Sequence, residues 1–432
     1  MDYKCIDRCR MCDSADLTEV LSLGEQFLAS SFVKSNKDNP LAVLRFPLTL
    51  VLCDRAKNPK GCGLLQLKET VRRDLLYRKY FYRSATNPMM HSALREIAQE
   101  MMTRVPFDAG DAVLDIGCND GTMLTFFPAS LRRFGIDPAE NIPPLKNFDP
   151  SIRILTDYFS QEAAHKVSGG IKTFKAITSI AMFYDLDDPH SFVRDVKKLL
   201  HPEGIWCIQL SWLYDVIRNM NFFDICHEHL LYYSLGTLRT LLNLHDLEII
   251  DASTNPVNGG SLRVFVKHKK AGFPVSANVQ NILDEEAAFG LNEPADTFRE
   301  FGKKISDLKE NILGYLRREK ERGGMIIGLG ASTKGNVLLQ YFGIGRDLMP
   351  YLCDRNPEKT GLRTLGTDIE VISEERMRAL HPSCLLVLIW FFREEILKRE
   401  QGYLARGGTM LFPMPSPTLV TKDGEMPLPP AQ

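Results

Sequence analysis

The sequence VLDIGCNDGTML at residues 113–124 predicts the architecture of the middle of the chain. A run of apolar residues ends at Asp115, and a turn containing Gly117 and Gly121 follows. The run predicts a buried β-strand, and we expect the turn to lead into a helix. Glycines in such a turn let the backbone approach a ligand closely at the carboxyl edge of a parallel sheet. The spacing D-x-G-x-x-x-G differs from the dinucleotide pattern G-x-G-x-x-G, so no pyrophosphate cradle is predicted.

Acidic and amide side chains surround this turn, and Asp137 lies about twenty residues further on, in RFGIDPAENI. The acidic side chains of the turn would repel phosphate but suit a cationic ligand with an amino-acid head. A carboxylate after the second strand can bind ribose hydroxyls. The combination resembles the S-adenosylmethionine (SAM) site of class I methyltransferases, with an NAD site or simple turn residues as alternatives. We expect SAM to contact the strand ends at Asp115, Gly117, Asn119, Asp120, Gly121, Asp137, Pro138, Asp157, Phe159 and Ser179.

Two series of short apolar runs alternate with helix-like segments. AVLDIG, RFGID, KAITSI and GIWCIQL predict a parallel, doubly wound α/β sheet, and GMIIGLGAS, MPYLCD, CLLVLIW and GTMLFPM predict a second one. The charged stretch between the two series predicts a helical pair, and the Pro-rich end of the chain predicts a flexible tail. The predicted divisions are a zinc-binding domain (1–76), a methyltransferase domain (77–272), a helical connector (273–322), a Rossmann-like domain (323–418) and the tail (419–432).

Four of the ten cysteines lie within the first 62 residues at spacings that suit a metal. Cys9 and Cys12 form a C-x-x-C pair, and Cys53 and Cys62 form a second, wider pair with glycines beside it. Two thiolate pairs about forty residues apart suit a tetrahedral structural zinc site on a small domain with little core of its own. Cys5 is a possible substitute ligand, and buried free thiols or a redox pair are the alternatives.

The composition excludes several classes of protein. The chain has 432 residues, with 53 Lys and Arg against 54 Asp and Glu, a formal net charge of −1. This balance argues against a broad basic surface for nucleic acid or acidic lipid, so we expect neither partner. There is no apolar run of about 18 residues, and the charged start lacks the core of a signal peptide. We therefore expect a cytoplasmic monomer or homodimer.

The densest group of titratable residues lies in FFDICHEHLLYYS, residues 222–234, which contains His227, Glu228 and His229. The segment follows the predicted strand GIWCIQL, on the sheet edge where SAM is expected. Its spacing is not H-E-x-x-H, so no zinc protease site is predicted. Histidine can accept a proton near neutral pH, and a neighbouring carboxylate raises its basicity. The alternative is a helix cap with two surface histidines.

In order along nearly the whole chain, these motifs resemble the nucleotide-sugar C-methyltransferases. The resemblance rests on the cysteine domain with LSLGEQFLASSF, DIGCNDGT with GIDPAENI, HEHLLYYSL, GGSLRVFV, GASTKGNVLLQYFGI and DRNPEKTG. It implies a structural zinc, a SAM-binding domain and a C-terminal Rossmann-like domain that helps to bind a thymidine-diphosphate 4-keto-deoxysugar, which is methylated at carbon 3. It also implies that His229 is the general base, that Glu228 and His227 orient it or the sugar, and that Tyr82 or Tyr80 contacts the substrate.

The sequence departs from the family pattern at three pocket positions: Cys226 replaces a tyrosine, Tyr184 a histidine and Asn258 a histidine. Tyr184 could hydrogen-bond an enolate oxygen. The departures leave open which sugar and which position are methylated, and SAM-dependent O- or N-methylation or a non-catalytic binding role remain alternatives. The predicted substrate contacts, or else vestigial packing positions, are Asn258, Arg263, Ser332, Thr333, Lys334, Asn336 and Asp354.

Overall fold

The computed structural model describes residues 2–37, 39–80, 82–143, 149–291 and 295–429. They form two compact units, each assembled from several stretches of chain. The first unit takes residues 1–18, 51–215 and 228–294, and the second takes 19–50, 216–227 and 295–432. This division differs from the linear boundaries expected from the sequence, because residues 19–50 and 216–227 group with the C-terminal part of the chain.

The sheet of the first unit contains every strand predicted around the SAM motif. In spatial order, its strands in the described part of the chain are Leu247–Asn255, Ser261–His268, Leu200–Ser211, Phe174–Ile180, Ala112–Ile116, Arg132–Asp137 and Arg153–Thr156. The last five are parallel, and the first two form an antiparallel hairpin beside Leu200–Ser211. The strand order reverses direction at Ala112–Ile116, and open α/β sheets bind ligands at such a point.

Helices cover this sheet, and their packing explains its stability. The predicted helix after the aromatic segment is Pro88–Arg104, which Asn87 caps by accepting from the backbone N–H groups of Met89 and Met90. Its buried face includes Ile97 and Met101, both fully buried in the core. Burying each such side chain contributes about 1.5–3 kcal/mol.

The α-helices of the described residues agree with the predicted α/β alternation and include the predicted helical pair, Ala277–Ala288 and Ala295–Glu321. After the SAM turn, however, the chain forms only a short 3-10 helix, Met123–Phe126, where we expected an α-helix. Pro128 follows closely, and a proline disfavours helical backbone in the residue before it. The remaining α-helices are Arg73–Tyr77, Gln161–Ser168, Pro189–Leu199, Leu213–Arg218, Leu235–Asn243, Thr333–Phe342, Glu374–Ala379, Arg393–Arg399 and Gln401–Ala405.

Short strands surround the cysteine pairs in the first unit. Tyr3–Cys5 pairs with Glu69–Val71, and Leu65–Leu67 pairs with Leu231–Tyr232, directly after the H-E-H segment. The boundaries between the units fall within two longer strands, Leu17–Gln26 and Phe46–Cys53.

The second unit has its own sheet, with all four strands predicted in the C-terminal series. In spatial order, its strands among the described residues are Gly424–Pro427, Thr418–Thr421, Thr409–Phe412, Cys384–Val387, Ile326–Leu329, Tyr351–Cys353, Glu370–Ile372, Arg363–Thr364 and Phe32–Val33. Its centre is parallel, as in Rossmann-like folds.

Both ends of this sheet differ from expectation. Phe32–Val33, from the N-terminal cysteine region, pairs antiparallel with Arg363–Thr364. The tail is not flexible over its described part, because Thr418–Thr421 and Gly424–Pro427 form a hairpin on the opposite edge. Residues 430–432 of the expected tail lie outside the described residues. None of the helices in the described ranges combines the length and the apolarity that crossing a lipid bilayer requires.

Candidate functional site

The four predicted zinc ligands come together. The Sγ atoms of Cys9, Cys12, Cys53 and Cys62 all lie within 4.8 Å of one another. Sulfur atoms bound to one tetrahedral zinc at about 2.3 Å are separated by about 3.8 Å, so this cluster has the right size. The alternative ligand, Cys5, is exposed and is not in the group.

Local backbone geometry explains how the wider second pair closes. A Cβ atom at Gly61 would lie 3.0 Å from the carbonyl oxygen of Asn58 and 3.3 Å from Sγ of Cys53. A side chain at this position would force its neighbours to shift by a few tenths of an ångström, so glycine favours the close approach of the turn to Cys53. The side-chain amide of the fully buried Gln66 donates a hydrogen bond to Sγ of Cys9, at 3.2 Å. Four thiolates leave no open coordination position, so zinc here is structural.

The SAM turn has the predicted form at the carboxyl edge of the first sheet. Gly117 has φ +75°, and a Cβ atom there would lie 2.9 Å from Cγ of Met182, which follows the neighbouring strand. Asp115 is 4% exposed and accepts a hydrogen bond from the Thr178 hydroxyl at 2.7 Å. Burial, partly offset by that hydrogen bond, raises the pKa of Asp115 to about 7. A buried carboxyl group of this kind suits a cationic ligand.

Asp137 ends the second strand, as expected. Its carboxylate accepts from the backbone N–H groups of Asn119 and Ala139, at 2.8 and 2.9 Å. Burial raises its pKa, although the two backbone hydrogen bonds act in the opposite direction. Pro138 follows directly. The chain thus holds this carboxylate at the position where ribose hydroxyls are expected.

Asn119 and Asp120 have a use that the sequence did not suggest. Oδ1 of Asn119 accepts from the Ser84 N–H and its Nδ2 donates to the Tyr82 carbonyl, while Oδ2 of Asp120 accepts from the Ala85 N–H. Both side chains therefore hold the segment 82–85 against the SAM turn. Their predicted contacts with SAM stay a prediction beside this role in positioning the aromatic segment.

The third and fourth strand ends fit the SAM prediction unequally. Asp157 follows the third strand, and its N–H donates to the Asp137 carbonyl at 3.1 Å. The ring of Phe159 packs 4.7 Å from that of Phe192. Ser179, by contrast, is fully buried and accepts a hydrogen bond from the indole N–H of Trp206 at 3.1 Å. Its predicted contact with SAM is therefore wrong, because its side chain serves the core.

The imidazole of His229 lies against the phenol ring of Tyr184, with ring centroids 4.3 Å apart. The backbone fixes this pair, because the N–H of Leu230 donates to the Tyr184 carbonyl at 2.9 Å. Tyr184 follows Met182 by two residues, and Met182 meets the Gly117 turn. A continuous series of contacts therefore leads from the SAM turn to His229.

Two buried carboxyl groups adjoin this ring pair. Glu228 is 4% exposed, and neither of its carboxyl oxygens has a hydrogen-bond partner among the described residues. Burial, together with the charge of Glu228, raises the pKa of Asp185 well above its ordinary value. The Tyr77 hydroxyl donates to the Glu228 carbonyl at 3.0 Å. Sequence reasoning missed Asp185 and Tyr77, since neither belongs to a motif.

The other predicted catalytic residues are less clearly placed. His227 is buried, and its Nε2 donates to the Phe46 carbonyl at 3.1 Å within the second unit. Tyr80 exchanges backbone hydrogen bonds with the side chain of Asn141. Tyr82 is 37% exposed beside the SAM turn, where a ligand could reach it.

Of the two substrate contacts predicted near the Gly-Gly turn, one is structural. Arg263 is 2% exposed, and its guanidinium donates to Gln209, Glu96 and Glu100 at 2.8–3.1 Å. This side chain joins the sheet to the helix Pro88–Arg104, so the substrate-binding prediction for Arg263 is wrong. Asn258 lies in the hairpin turn with φ +56°, a conformation that asparagine tolerates.

In the second unit, several of the predicted substrate contacts lie at the start of the helix Thr333–Phe342. Ser332 is its N-cap and accepts from the Gly335 N–H, and Asp354 accepts from the Ala331 N–H. Nζ of Lys334 forms an ion pair with Asp224 at 2.7 Å. Asn336, in contrast, is buried and donates to the Ala29 carbonyl, so its predicted substrate contact is replaced by a packing role.

Comparisons with known proteins match three domain families to successive stretches of the chain. A zinc-binding domain family matches residues 9–77, a methyltransferase domain family matches 89–252, and the C-methyltransferase C-terminal domain family matches 256–415. The C-methyltransferase NovU of Streptomyces niveus is 29% identical over 422 residues, 98% of each chain.

Two solved methyltransferase structures resemble parts of the chain. The 1,6-didemethyltoxoflavin-N1-methyltransferase of Burkholderia thailandensis, bound to S-adenosylhomocysteine, is 15% identical, covers 43% of this chain and 81% of its own, and gives a TM-score of 0.32. For the plantazolicin methyltransferase BpumL, also bound to S-adenosylhomocysteine, these values are 16%, 43%, 87% and 0.33. The family matches confirm the predicted methyltransferase fold and its two ligands, SAM and zinc.

Proposed function

We propose that this chain, which matches a zinc-binding, a methyltransferase and a C-methyltransferase C-terminal domain family, methylates the carbon beside the keto group of a nucleotide-diphosphate 4-keto-deoxysugar, in the biosynthesis of a branched sugar. The contact between the rings of Tyr184 and His229 supports the proposal, since an imidazole can act as a base and a phenol hydroxyl can donate a hydrogen bond. The C-methyltransferase NovU supports a carbon acceptor. The sugar and its nucleotide follow from the motif resemblance.

SAM supplies an electrophilic methyl group on a sulfonium. Under this proposal, the turn at Gly117 admits the methionine part, Asp115 faces its positive charge, and Asp137 accepts from the ribose hydroxyls. The residues fit this ligand, because the carboxyl groups of Asp115 and Asp120 are buried beside the turn and Asp137 ends the next strand.

Carbon acidity determines what the protein must add. A proton on the carbon beside a ketone is too weakly acidic to leave unaided at neutral pH. His229 removes it, the C–H electron pair forms the enolate, and the Tyr184 hydroxyl donates to the developing oxyanion. Bound SAM, held at the Gly117 turn and Asp137, would supply the methyl group to the enolate carbon. The protein holds the two reacting carbons in line and excludes water.

The second unit would bind the nucleotide diphosphate. A helix of ten residues begins at Thr333, and its first N–H groups and the hydroxyls of Ser332 and Thr333 can donate to phosphate oxygens. The ammonium group of Lys334 would exchange its ion pair with Asp224 for one with phosphate. A phosphate group at this position gains from the helix dipole as well as from the charge.

Turnover of a panel of nucleotide-linked 4-keto-deoxysugars with SAM, followed by mass spectrometry, tests the proposal. We expect one panel member to gain the mass of one methylene and its ring C–H to exchange with D2O in the absence of SAM. The variant His229→Ala should lose both the exchange and the methyl transfer while it still binds SAM. The control is His201→Ala. His201 lies at the start of the strand Leu200–Ser211, at the end opposite to the carboxyl edge where SAM is expected.

Retention of near-normal turnover by His229→Ala would remove the base assignment. Methyl gain without prior C–H exchange, on oxygen or nitrogen, would replace the carbon mechanism with heteroatom transfer.

A further inference from the structure

Arg10 lies in the zinc knuckle, the segment 8–13 that contains the ligands Cys9 and Cys12. Its guanidinium forms hydrogen bonds with residues outside this segment. Arg10 lies between the ligands Cys9 and Cys12, and its side chain is 3% exposed. Its Nη1 donates to the Leu67 carbonyl and its Nη2 to the Thr70 hydroxyl, both at 2.6 Å, and its Nε donates to Asp187 at 3.3 Å. The buried guanidinium therefore connects the zinc knuckle to the strand Leu65–Leu67 and to the loop that contains Asp187.

The strand Leu65–Leu67 connects Arg10 to the segment that contains His229. The N–H of Leu67, the residue whose carbonyl Arg10 binds, donates to the Leu230 carbonyl at 2.8 Å. The N–H of Leu230 donates in turn to the Tyr184 carbonyl at 2.9 Å. The residue after His229 is thus held on both sides, once by the zinc-bearing region and once by the partner of the imidazole.

The loop that contains Asp187 connects Arg10 to Tyr184. Asp187 lies three residues after Tyr184 and receives, besides Arg10, the Thr70 hydroxyl at 3.1 Å and the Lys4 ammonium at 2.6 Å. His229 and Tyr184 therefore each precede, by one and by three residues, a residue that Arg10 or its partner Leu67 holds.

We propose that Arg10 is a positioning residue, which transmits the rigidity of the zinc knuckle to the Tyr184–His229 ring pair. Zinc would then act on the reaction without touching substrate, by fixing the two cysteines that flank Arg10. The inference rests on the proposed function of His229. Lysine cannot replace Arg10, because a single ammonium cannot reach all four acceptors of the guanidinium, which are oxygens of Gln66, Leu67, Thr70 and Asp187.

The test compares Arg10→Lys with Arg8→Lys in the full chain loaded with zinc. Arg8 is in the same knuckle but is exposed and donates only to the neighbouring Asp13 carbonyl among the hydrogen bonds described for it. We expect Arg10→Lys to keep about one zinc per chain and an unchanged Kd for SAM. Its kcat should fall about 10- to 100-fold, which is the expected cost of a misplacement of about 1 Å. Arg8→Lys should leave kcat unchanged.

A readout without substrate separates positioning from general damage. The imidazole proton signals of His229, identified by their absence in His229→Ala, lie in the ring-current field of Tyr184 and should move in Arg10→Lys but not in Arg8→Lys. If Arg10→Lys fails to fold or loses zinc, Thr70→Val removes one hydrogen bond to Asp187 and should give the same changes in smaller measure.

A zinc-loaded Arg10→Lys with kcat within about twofold of the parent and unmoved His229 signals would overturn the inference, and so would equal losses in Arg10→Lys and Arg8→Lys. Failure of the proposed function looks different: His229→Ala would then stay active, whatever Arg10→Lys does.

Discussion

Replacing Asp115 with asparagine should change how the stability of the first unit depends on pH. Burial, with a further contribution from the charge of Asp137 and an opposing one from the Thr178 hydroxyl, raises the pKa of Asp115 from 3.8 to about 7. The folded value lies above the unfolded one, so the folded unit keeps a proton that the unfolded chain has released. This stabilisation is complete below pH 3.8 and is lost as the pH rises through 7.

The size of the effect follows from the two pKa values. The free energy of unfolding changes by about 1.4 kcal/mol for each tenfold difference in proton affinity, so the whole displacement corresponds to about 4 kcal/mol. Between pH 5 and pH 8 the contribution of Asp115 should fall by about 2.5 kcal/mol. Asparagine has nearly the same shape and can still accept from Thr178, so Asp115→Asn should lack this part of the pH dependence.

Unfolding in urea without SAM, followed by tryptophan fluorescence, measures the difference. The chain has three tryptophans, and Trp390→Phe leaves Trp206 and Trp212, which both belong to the first unit. In that background we compare the free energies of unfolding with and without Asp115→Asn at each pH. A difference in the free energy of unfolding that stays constant from pH 5 to pH 8 would refute the reasoning. Thr178→Val removes a hydrogen bond that lowers the pKa of Asp115, so the loss of stability should then extend to higher pH.

Three further substitutions test the site. Cys62→Ser should reduce bound zinc from about one ion per chain to almost none, as measured by atomic absorption; full retention would mean that the cluster is not the zinc site. Gly117→Ala should lower the free energy of unfolding by about 1–2 kcal/mol and weaken SAM binding in calorimetry, because the new methyl group meets Met182 and φ is positive; an unchanged Kd would contradict this. Ser179→Ala should destabilise the fold by about 1–3 kcal/mol without changing the Kd for SAM, since it removes the acceptor of the Trp206 indole; weaker SAM binding would restore its predicted ligand role.

Local patterns in the sequence were sufficient to predict the strands and the metal ligands. The eight predicted strands are apolar runs bounded by turns, and each is present, because a buried strand of a parallel sheet has such a composition wherever it pairs. The four cysteines were identifiable since no other residue type suits a closed zinc site as well, and Gly61 marks the turn between the second pair.

What the sequence did not predict depends on partners far away in the chain. Asn119 and Asp120 have the composition of ligand-binding residues, but their acceptors are used by the backbone of residues 84 and 85. Ser179 and Arg263 lie on strands near the correct edge, and only the fold shows that each side chain turns to an internal partner. Neither the residue type nor the position on a strand determines whether such a side chain faces a ligand or an internal partner.

The strand Phe32–Val33 has a consequence for synthesis of the chain. Its neighbour Asn36 donates to the carbonyl of Thr364, 328 residues later. At about 5–20 residues translated per second, the early segment must wait on the order of tens of seconds on the ribosome before its partner emerges. During that interval Phe32 is exposed to other nascent chains, so ribosome-associated chaperones should raise the soluble yield, and any stall before residue 364 should leave an aggregation-prone fragment.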